Sequence, residues 1–427
     1  MKDLPFPRGV RDLLPNEALF RNQVLKAVEK VFQSFGFLAI DTPTFESLDL
    51  LRAKGSIGED NKLIYELKNE NLGLRYDHTV SLARYYVMHK NLPLPFKRYY
   101  MGKTFRMDEP QKNRYREFTQ ADADIIGGDY GYTDAEAIAA VCKAYESVGI
   151  NYEIHINDRR FIDAMLKAFG VNTDFSTGVY RLIDKLDKRS AEDISNMMLE
   201  LGLTKEQVDN LMGTVVRNGT NDEKLTYLLE LTKSENEINE FRMLLKLLEQ
   251  YKLRGAVLVD FALVRGIDYY TSTVFEFKSA DKDMKVSIGS GGRYDKLIGL
   301  YSGSEIGACG ASMGIDRVLD LLNAGDSIKY TYAQAIVNYV KPNNYTYALD
   351  VANKLRGAGI NTDINNSTRN IANQLSYANS LKIKYAIIVG DAEQKEEKVK
   401  IKDLISGEES IVSIDEAIQQ LKKREED

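Results

Sequence analysis

The chain has 427 residues, 44% of them hydrophobic and 28% charged, with a formal net charge of −6. That length suffices for two or three cored domains, and the balance is that of a water-soluble globular protein. No apolar run approaches the roughly 18 residues of a membrane span, the opening MKDLPFPRGVRDLLP lacks the apolar core of a signal peptide, and the acidic balance gives no global sign of nucleic-acid binding.

The first predicted element is an amphipathic helix over 16–36, apolar at three- and four-residue spacing and closed by glycine. It runs into FLAIDTPTFES, an extended piece whose Pro43 points to an edge or an interface. Residues 63–66 and 72–76 read as short strands and 79–89 as a helix. KRYYMGKTFRMD and FTQADADIIG then form a hairpin around the polar, basic run EPQKNRYRE. Hairpin connections usually hold about two to five residues, so a longer charged one implies function. A helix (133–149), a strand (152–156) and another helix (159–170) follow. From 171 to 253 the sequence is charged and helix-forming, and it reads as a helical insertion.

Strands resume at residue 256 and pass through LVRGIDYYTSTVFEF (263–277), β-branched and aromatic from Tyr269 onward. VSIGSGGRYDKLIGL reads as a glycine-rich bend leading to a helix, and EIGACGASMGIDRVLDLLNA as a small-residue strand feeding another. After residue 327 strands (332–340, 360–363, 385–389) alternate with helices (345–358, 371–379), which indicates a separate α/β domain with a mostly parallel sheet.

Cys142 and Cys309 lie far apart, which argues for a reducing compartment and against a disulfide framework. His78, His89 and His155 show no ligand spacing, so no zinc site is expected. Arginines carry the stronger signal. Arg265 sits beside a glycine, an aspartate and two tyrosines in the 263–277 stretch, and burying an unpaired guanidinium costs several kcal/mol. With Arg106 at the hairpin loop and Arg317 at a late helix, three arginines stand in unusual local sequence. Their planar forks suit phosphate, and together they point to a polyphosphate. There is no P-loop motif, and GSGG (289–292) lacks the βαβ context of a dinucleotide fingerprint. Taken singly, Tyr269 and Tyr270 suit strand packing, Asp77 suits a helix cap, and Asp122 with Asp124 suit a solvated strand edge.

Taken together and in order, these elements resemble the histidyl-tRNA synthetases, class II aminoacyl-tRNA synthetases. GFLAIDTPTFES resembles class II motif 1, TFRMDEPQKNRYREFTQADADI motif 2 in its histidine-specific form, and GASMGIDRV motif 3. LVRGIDYYTSTVFEF and SGGRYDKLIG resemble the two histidine-specific motifs, and LRYDHT the archaeal and eukaryotic-type variant. The resemblance implies an α+β catalytic domain on an antiparallel sheet, a helical insertion and a C-terminal α/β anticodon-binding domain. In this chain these would occupy 1–170 and 255–325 (catalytic core), 171–254 (insertion) and 330–427.

It further implies ATP and Mg²⁺ as cofactors, tRNA(His) and L-histidine as partners, and a homodimer in the cytoplasm. Arg106 and Arg265 would flank the α-phosphate as the catalytic pair. Arg317, Arg114 and Asp108 would help hold ATP. Asp77, Thr79 and Gln120 would take the α-amino group, and Asp124 and Tyr270 the imidazole, with Tyr269 and Tyr294 nearby. Such a pocket rejects other amino acids by leaving its own polar groups unpaired. Gln111, Lys112 and Arg116 would meet the tRNA acceptor end. His78 stands where a small or aliphatic residue is usual and is expected to contribute backbone at most; Ser81 replaces a frequent proline. The rival is the histidine-sensing regulatory subunit of ATP phosphoribosyltransferase, which typically lacks the C-terminal domain and the LVRG arginine.

Overall fold

The computed structural model describes residues 6–53, 63–111, 113–187, 189–264, 269–281, 287–322, 330–367 and 370–423. It falls into two compact units, Met1–Arg11 with Gln23–Asn323, and Asp12–Asn22 with Ala324–Asp427.

Helix α1 (Pro15–Ser34) opens on proline, whose missing N–H costs nothing in a first turn. Val24, Val28 and Phe32 recur every fourth residue along it and are buried. Then come β1 (Leu38–Ala39), β2 (Phe45–Ser47), α2 (Leu48–Leu51), β3 (Leu72–Leu74) and α3 (Thr79–Met88). The strand expected over 63–66 is reduced to a single bridge between Glu66 and Gly73. Beyond that bridge the backbone is engaged elsewhere: the Leu63 carbonyl accepts from Met107 and the Arg75 N–H donates to Thr44. The long hairpin is β4 (Phe96–Phe105) and β5 (Glu117–Ile126), followed by α4 (Tyr132–Ser147), β6 (Tyr152–Asp158) and α5 (Arg159–Ala168).

Five helices fill the next stretch: α6 (Ser176–Ile183), α7 (Ala191–Leu201), α8 (Lys205–Val215), α9 (Asn221–Thr232) and α10 (Glu235–Gln250). Their starts are written in the sequence. Thr204 with Gln207, and Thr220 with Glu223, form capping boxes that satisfy the first free N–H groups. Phe161 of α5 meets Phe241 of α10 edge-on at 5.0 Å.

The chain returns with β7 (Ala256–Val259), β8 (Thr273–Ser279), β9 (Ser287–Arg293), α11 (Asp295–Ser302), β10 (Ala308–Gly314) and α12 (Ile315–Leu322). The ladder of β8 starts at Thr273, four residues later than expected. Eight strands form one sheet in the order β1-β4-β5-β10-β9-β8-β6-β7. All neighbours are antiparallel except the outermost pairs, β1 with β4 and β6 with β7.

GSGG is therefore not a bend; it lies inside β9, between β8 and β10. What it does supply is close approach: a Cβ on Gly291 would stand 2.1 Å from the Gly310 carbonyl oxygen. The two-residue period gives the sheet two characters. One face carries Ala121, Ala123, Ile125, Cys309 and Phe275, packed by the alanine-rich α4, which is buried nearly all round. The other carries Gln120, Asp122, Asp124, Ser312 and Ser290.

The second unit holds β11 (Ala335–Tyr339), α13 (Tyr345–Gly357), β12 (Thr362–Ile364), α14 (Ile371–Ser380), β13 (Tyr385–Val389), α15 (Asp391–Lys395), β14 (Lys398–Asp403), β15 (Glu409–Ser413) and α16 (Ile414–Lys423). Its sheet runs β12-β11-β13-β14-β15; the first three are parallel, and β14 and β15 add an antiparallel edge. Helices α13 and α16 pack one face and α14 the other. No helix among the described residues is long and apolar enough to cross a membrane.

Candidate active site

The polar face of the sheet opens into two cavities. The larger, about 300 Å³, is lined by Arg106, Arg114 and Arg317 together with Asp108, Asp316 and Glu276. The smaller, about 40 Å³, is lined by Asp77, Asp122 and Asp124 with Thr79, Tyr269, Tyr270 and Tyr294. Arg106, Gln120, Ser290 and Ser312 border both. The larger sets three arginines among three acids, while the smaller gathers three carboxylates with Arg106 as the cation in its lining.

Strand register makes the junction. Across β4, β5, β10 and β9 the rows read Arg98–Asp124–Gly310–Gly292 and Tyr100–Asp122–Ser312–Ser290. Both aspartates are buried in the middle of the sheet, at 4% and 2% exposure, so they are not a solvated edge. Gln120 is held by its neighbours: it accepts from Thr104 at 3.1 Å and donates to Ser312 at 2.5 Å.

The three carboxylates differ in charge tendency. Burial pushes Asp77 up, against the pull of the Val80 N–H and of Arg106. Burial also pushes Asp124 up, to about 6, although Arg98 pulls it down. For Asp122 burial acts upward too, but His78, Arg98 and Ser312 together outweigh it and the net shift is downward. Asp124 accepts from the Tyr294 hydroxyl at 2.5 Å and meets an Arg98 nitrogen at 2.7 Å. Tyr269 donates to Asp77 at 3.2 Å, while the other Asp77 oxygen caps α3 through the Val80 N–H. The capping role and the pocket role thus coexist in one residue. Burial holds the Tyr269 and Tyr294 phenols well above their usual range, so both remain donors.

His78 needs correcting. Its ring is buried, stands 2.6 Å from Asp122 Oδ2 and packs at 4.3 Å on Tyr100. It therefore contributes a side chain that sets the charge of a pocket carboxylate, not backbone alone. The aromatic Tyr100 and the acid Asp122, both on the facing strands, give a ring a place that an aliphatic side chain would not exploit.

Arg106 lies one residue past β4, donates Nε to the Tyr76 carbonyl at 2.9 Å and sits over Phe118. Arg317 lies on α12 rather than on a strand; it donates to the backbone of Ser287 and Asn113. Arg114 is paired with Asp108 at 2.8 Å. The loop between β4 and β5 closes on reciprocal backbone bonds of Gln111 and Arg114, with Asn113 at a φ of +63°. Arg116 is drawn back toward the loop base, donating to the Asp108 carbonyl at 2.8 Å. Arg265 and Lys112 lie outside the described residues.

Sequence reasoning missed Arg98, His78's ring, Glu276 and the two serines of the junction. Hairpin register was the available signal for Arg98: a ladder closing at Phe105 and Glu117 brings residue 98 opposite 124.

The histidyl-tRNA synthetase family profile matches residues 9–318, and an anticodon binding domain profile matches 334–424. A histidine--tRNA ligase of Pyrococcus furiosus is 37% identical over 428 residues, spanning 97% of this chain and 98% of that protein. One from Korarchaeum cryptofilum is 36% identical over 92% of this chain and 93% of that protein. Among solved structures, the histidyl-tRNA synthetase of Nostoc sp. PCC 7120 superposes with a TM-score of 0.85 at 28% identity, covering 99% of this chain and 100% of that one.

Proposed function

The chain belongs to the histidyl-tRNA synthetase family, and on that premise we propose how its residues divide the work of activating L-histidine with ATP and passing it to tRNA(His). The reading is carried by one observation: a cavity that brings three arginines together and a pocket that brings three carboxylates together meet at Arg106.

ATP takes the larger cavity, with Arg317 and Arg114 toward its outer phosphates and Asp108 orienting Arg114. Histidine takes the smaller. Its α-ammonium faces Asp77, Thr79 and Gln120, and its ring faces Asp124, with Tyr269, Tyr270 and Tyr294 closing around it. The histidine carboxylate oxygen attacks the α-phosphorus, the bond to the bridging oxygen breaks, and pyrophosphate leaves. Arg106 stands between the two reacting groups and neutralises charge that builds on the α-phosphate; by resemblance Arg265 does so from the other side. The 3′-terminal hydroxyl of the tRNA then attacks the carbonyl carbon of the adenylate and AMP leaves.

Mg²⁺ prefers hard oxygen donors; among the described residues no cluster of three acidic or histidine side chains could hold it alone, so Glu276, which lines the larger cavity, would hold it together with phosphate oxygens. When bound, it would neutralise charge on the outer phosphates. The β4–β5 loop (Gln111, Lys112, Arg116) would meet the acceptor end, and the second unit the anticodon. Leu38 and Phe45 expose apolar side chains on the motif 1 segment, which supports a homodimer formed there. Two cysteines without partners support a cytoplasmic enzyme. The regulatory-subunit reading has less support, because it gives no role to the cations around the larger cavity or to the second unit.

The test is histidine-dependent exchange of labelled pyrophosphate into ATP. Exchange driven by another amino acid but not by histidine would overturn the reading. Arg265→Ala should slow exchange by orders of magnitude without loss of fold; near-parent exchange would remove the role given to Arg265.

A further inference from the structure

Among the described residues Arg98 is the largest wholly buried side chain, at 0% exposure, and it lines neither cavity. Packing alone does not explain it. A methionine or leucine would fill comparable space without the desolvation of a guanidinium. Its position is specific: it stands opposite Asp124 across β4 and β5, on the pocket face of the sheet. A terminal nitrogen reaches Asp124 Oδ2 at 2.7 Å, while Tyr294 holds Oδ1 at 2.5 Å. Each carboxylate oxygen has a fixed neighbour, and each keeps a lone pair for a further donor.

We propose that Arg98 is a positioning residue for substrate recognition: it supplies the counter-charge and the fixed orientation that let Asp124 accept the N–H of the histidine imidazole. The proposal rests on the reading of Asp124 as the imidazole acceptor. Charge bookkeeping supports it. Asp124 is faced by Asp122 on its own strand and by Asp77 ahead of α3, which oppose its ionisation, and by the phenol of Tyr294; the buried thiol of Cys309 lies across the sheet, on the other face. Arg98 is the cation in contact with it among the described residues. The pair is electrically neutral, so the ring end of the pocket suits a neutral imidazole rather than a cationic side chain. Remove the arginine, and the acid moves further up and takes a proton near neutral pH.

Arg98→Met, Arg98→Lys and Asp124→Asn would be compared in pyrophosphate exchange between pH 7 and 8.5. For Arg98→Met the expected result is a KM for histidine raised at least tenfold at pH 7, with the KM for ATP within twofold of the parent. That defect should shrink as pH rises and recharges Asp124, and Arg98→Lys should recover part of it. Asp124→Asn should raise the KM for histidine with no such recovery. If Asp124→Asn leaves that KM unchanged, the reading of Asp124 fails and the proposal with it. If Asp124→Asn acts as expected but Arg98→Met leaves the KM for histidine alone, or raises both KM values equally at every pH, Arg98 is structural only. Should Arg98→Met not fold, the double variant Arg98→Met/Asp124→Asn removes both charges together. It should bind histidine no worse than Asp124→Asn, because Arg98 acts through Asp124. A further independent loss would overturn the proposal.

Discussion

Gly310→Ala is the sharpest test of how the histidine pocket is built. Gly310 lies opposite Asp124 in the β5–β10 ladder, and a Cβ there would stand 1.9 Å from Asp124 Oδ1 and 2.5 Å from its Cγ. Nonbonded contacts to a Cβ essentially never fall below 3.0 Å, so the carboxylate must retreat by about 1 Å or more. The oxygen that must move is the one Tyr294 holds. Misplacing a positioning group by about 1 Å costs roughly 10²-fold in rate, and losing one hydrogen bond to a charged group costs about 1.5–3 kcal/mol, which is roughly 10- to 150-fold. The two routes agree. We therefore expect kcat/KM for histidine to fall by about 10- to 100-fold in pyrophosphate exchange at saturating ATP, while the KM for ATP stays near the parent value. Circular dichroism on the same preparations would confirm the fold. A variant within threefold of the parent in kcat/KM for histidine would refute the claim that the Asp124 carboxylate must occupy its observed position.

Three further outcomes follow from the same geometry. Asp124 sits at about 6 because burial raises it, and its charged form is the one that accepts, so kcat/KM for histidine should be flat above that pH and fall below it. The free substrate ring titrates in the same range, so the log slope should steepen beyond one, and Asp124→Asn should be left with a slope of one; a parent slope equal to that of the variant would remove Asp124 from the profile. Arg317→Ala should raise the KM for ATP about tenfold or more, the worth of a charge-assisted bond to phosphate, and leave the KM for histidine unchanged; equal rises in both would argue for general damage. Gly213→Ala, inside α8 with nothing within 4 Å of the added carbon, should stabilise the protein by about 0.5–1 kcal/mol at unchanged activity, read as a higher denaturant midpoint. A lower midpoint would contradict the open space beside Gly213.

Much of this architecture is legible in the sequence because it is local. Alternation in QADAD puts three polar side chains on one face, the polar run EPQKNRYRE between two strand-like segments announces a long-looped hairpin, and the alternating elements after residue 332 announce an α/β unit. What escapes is what depends on distant chain segments. GSGG carries every local mark of a bend, and only the flanking strands β8 and β10 turn it into the centre of a sheet. Arg98 looks like any strand cation until Asp124, 26 residues on, is brought against it. The meaning of His78 appears only with Tyr100 and Asp122 around it. The strand KVKIKD (398–403) goes unread although its own alternation signals it, and it marks where the α/β pattern gives way to an antiparallel edge.

The strand order also dictates when the site can exist during synthesis. Strands β5 and β10 are neighbours in the sheet, yet 182 residues separate Ile126 from Ala308, and the helical insertion lies between them. At about 5–20 residues per second, β5 waits roughly 10–40 s for the partner that covers its open edge. An unpaired edge of that kind invites wrong pairing with other chains, and charged residues along it discourage this. Asp122 and Asp124 lie on that strand. The same acids that line the pocket of the finished protein are thus placed to guard the nascent chain, and neutralising both should lower the yield of soluble protein.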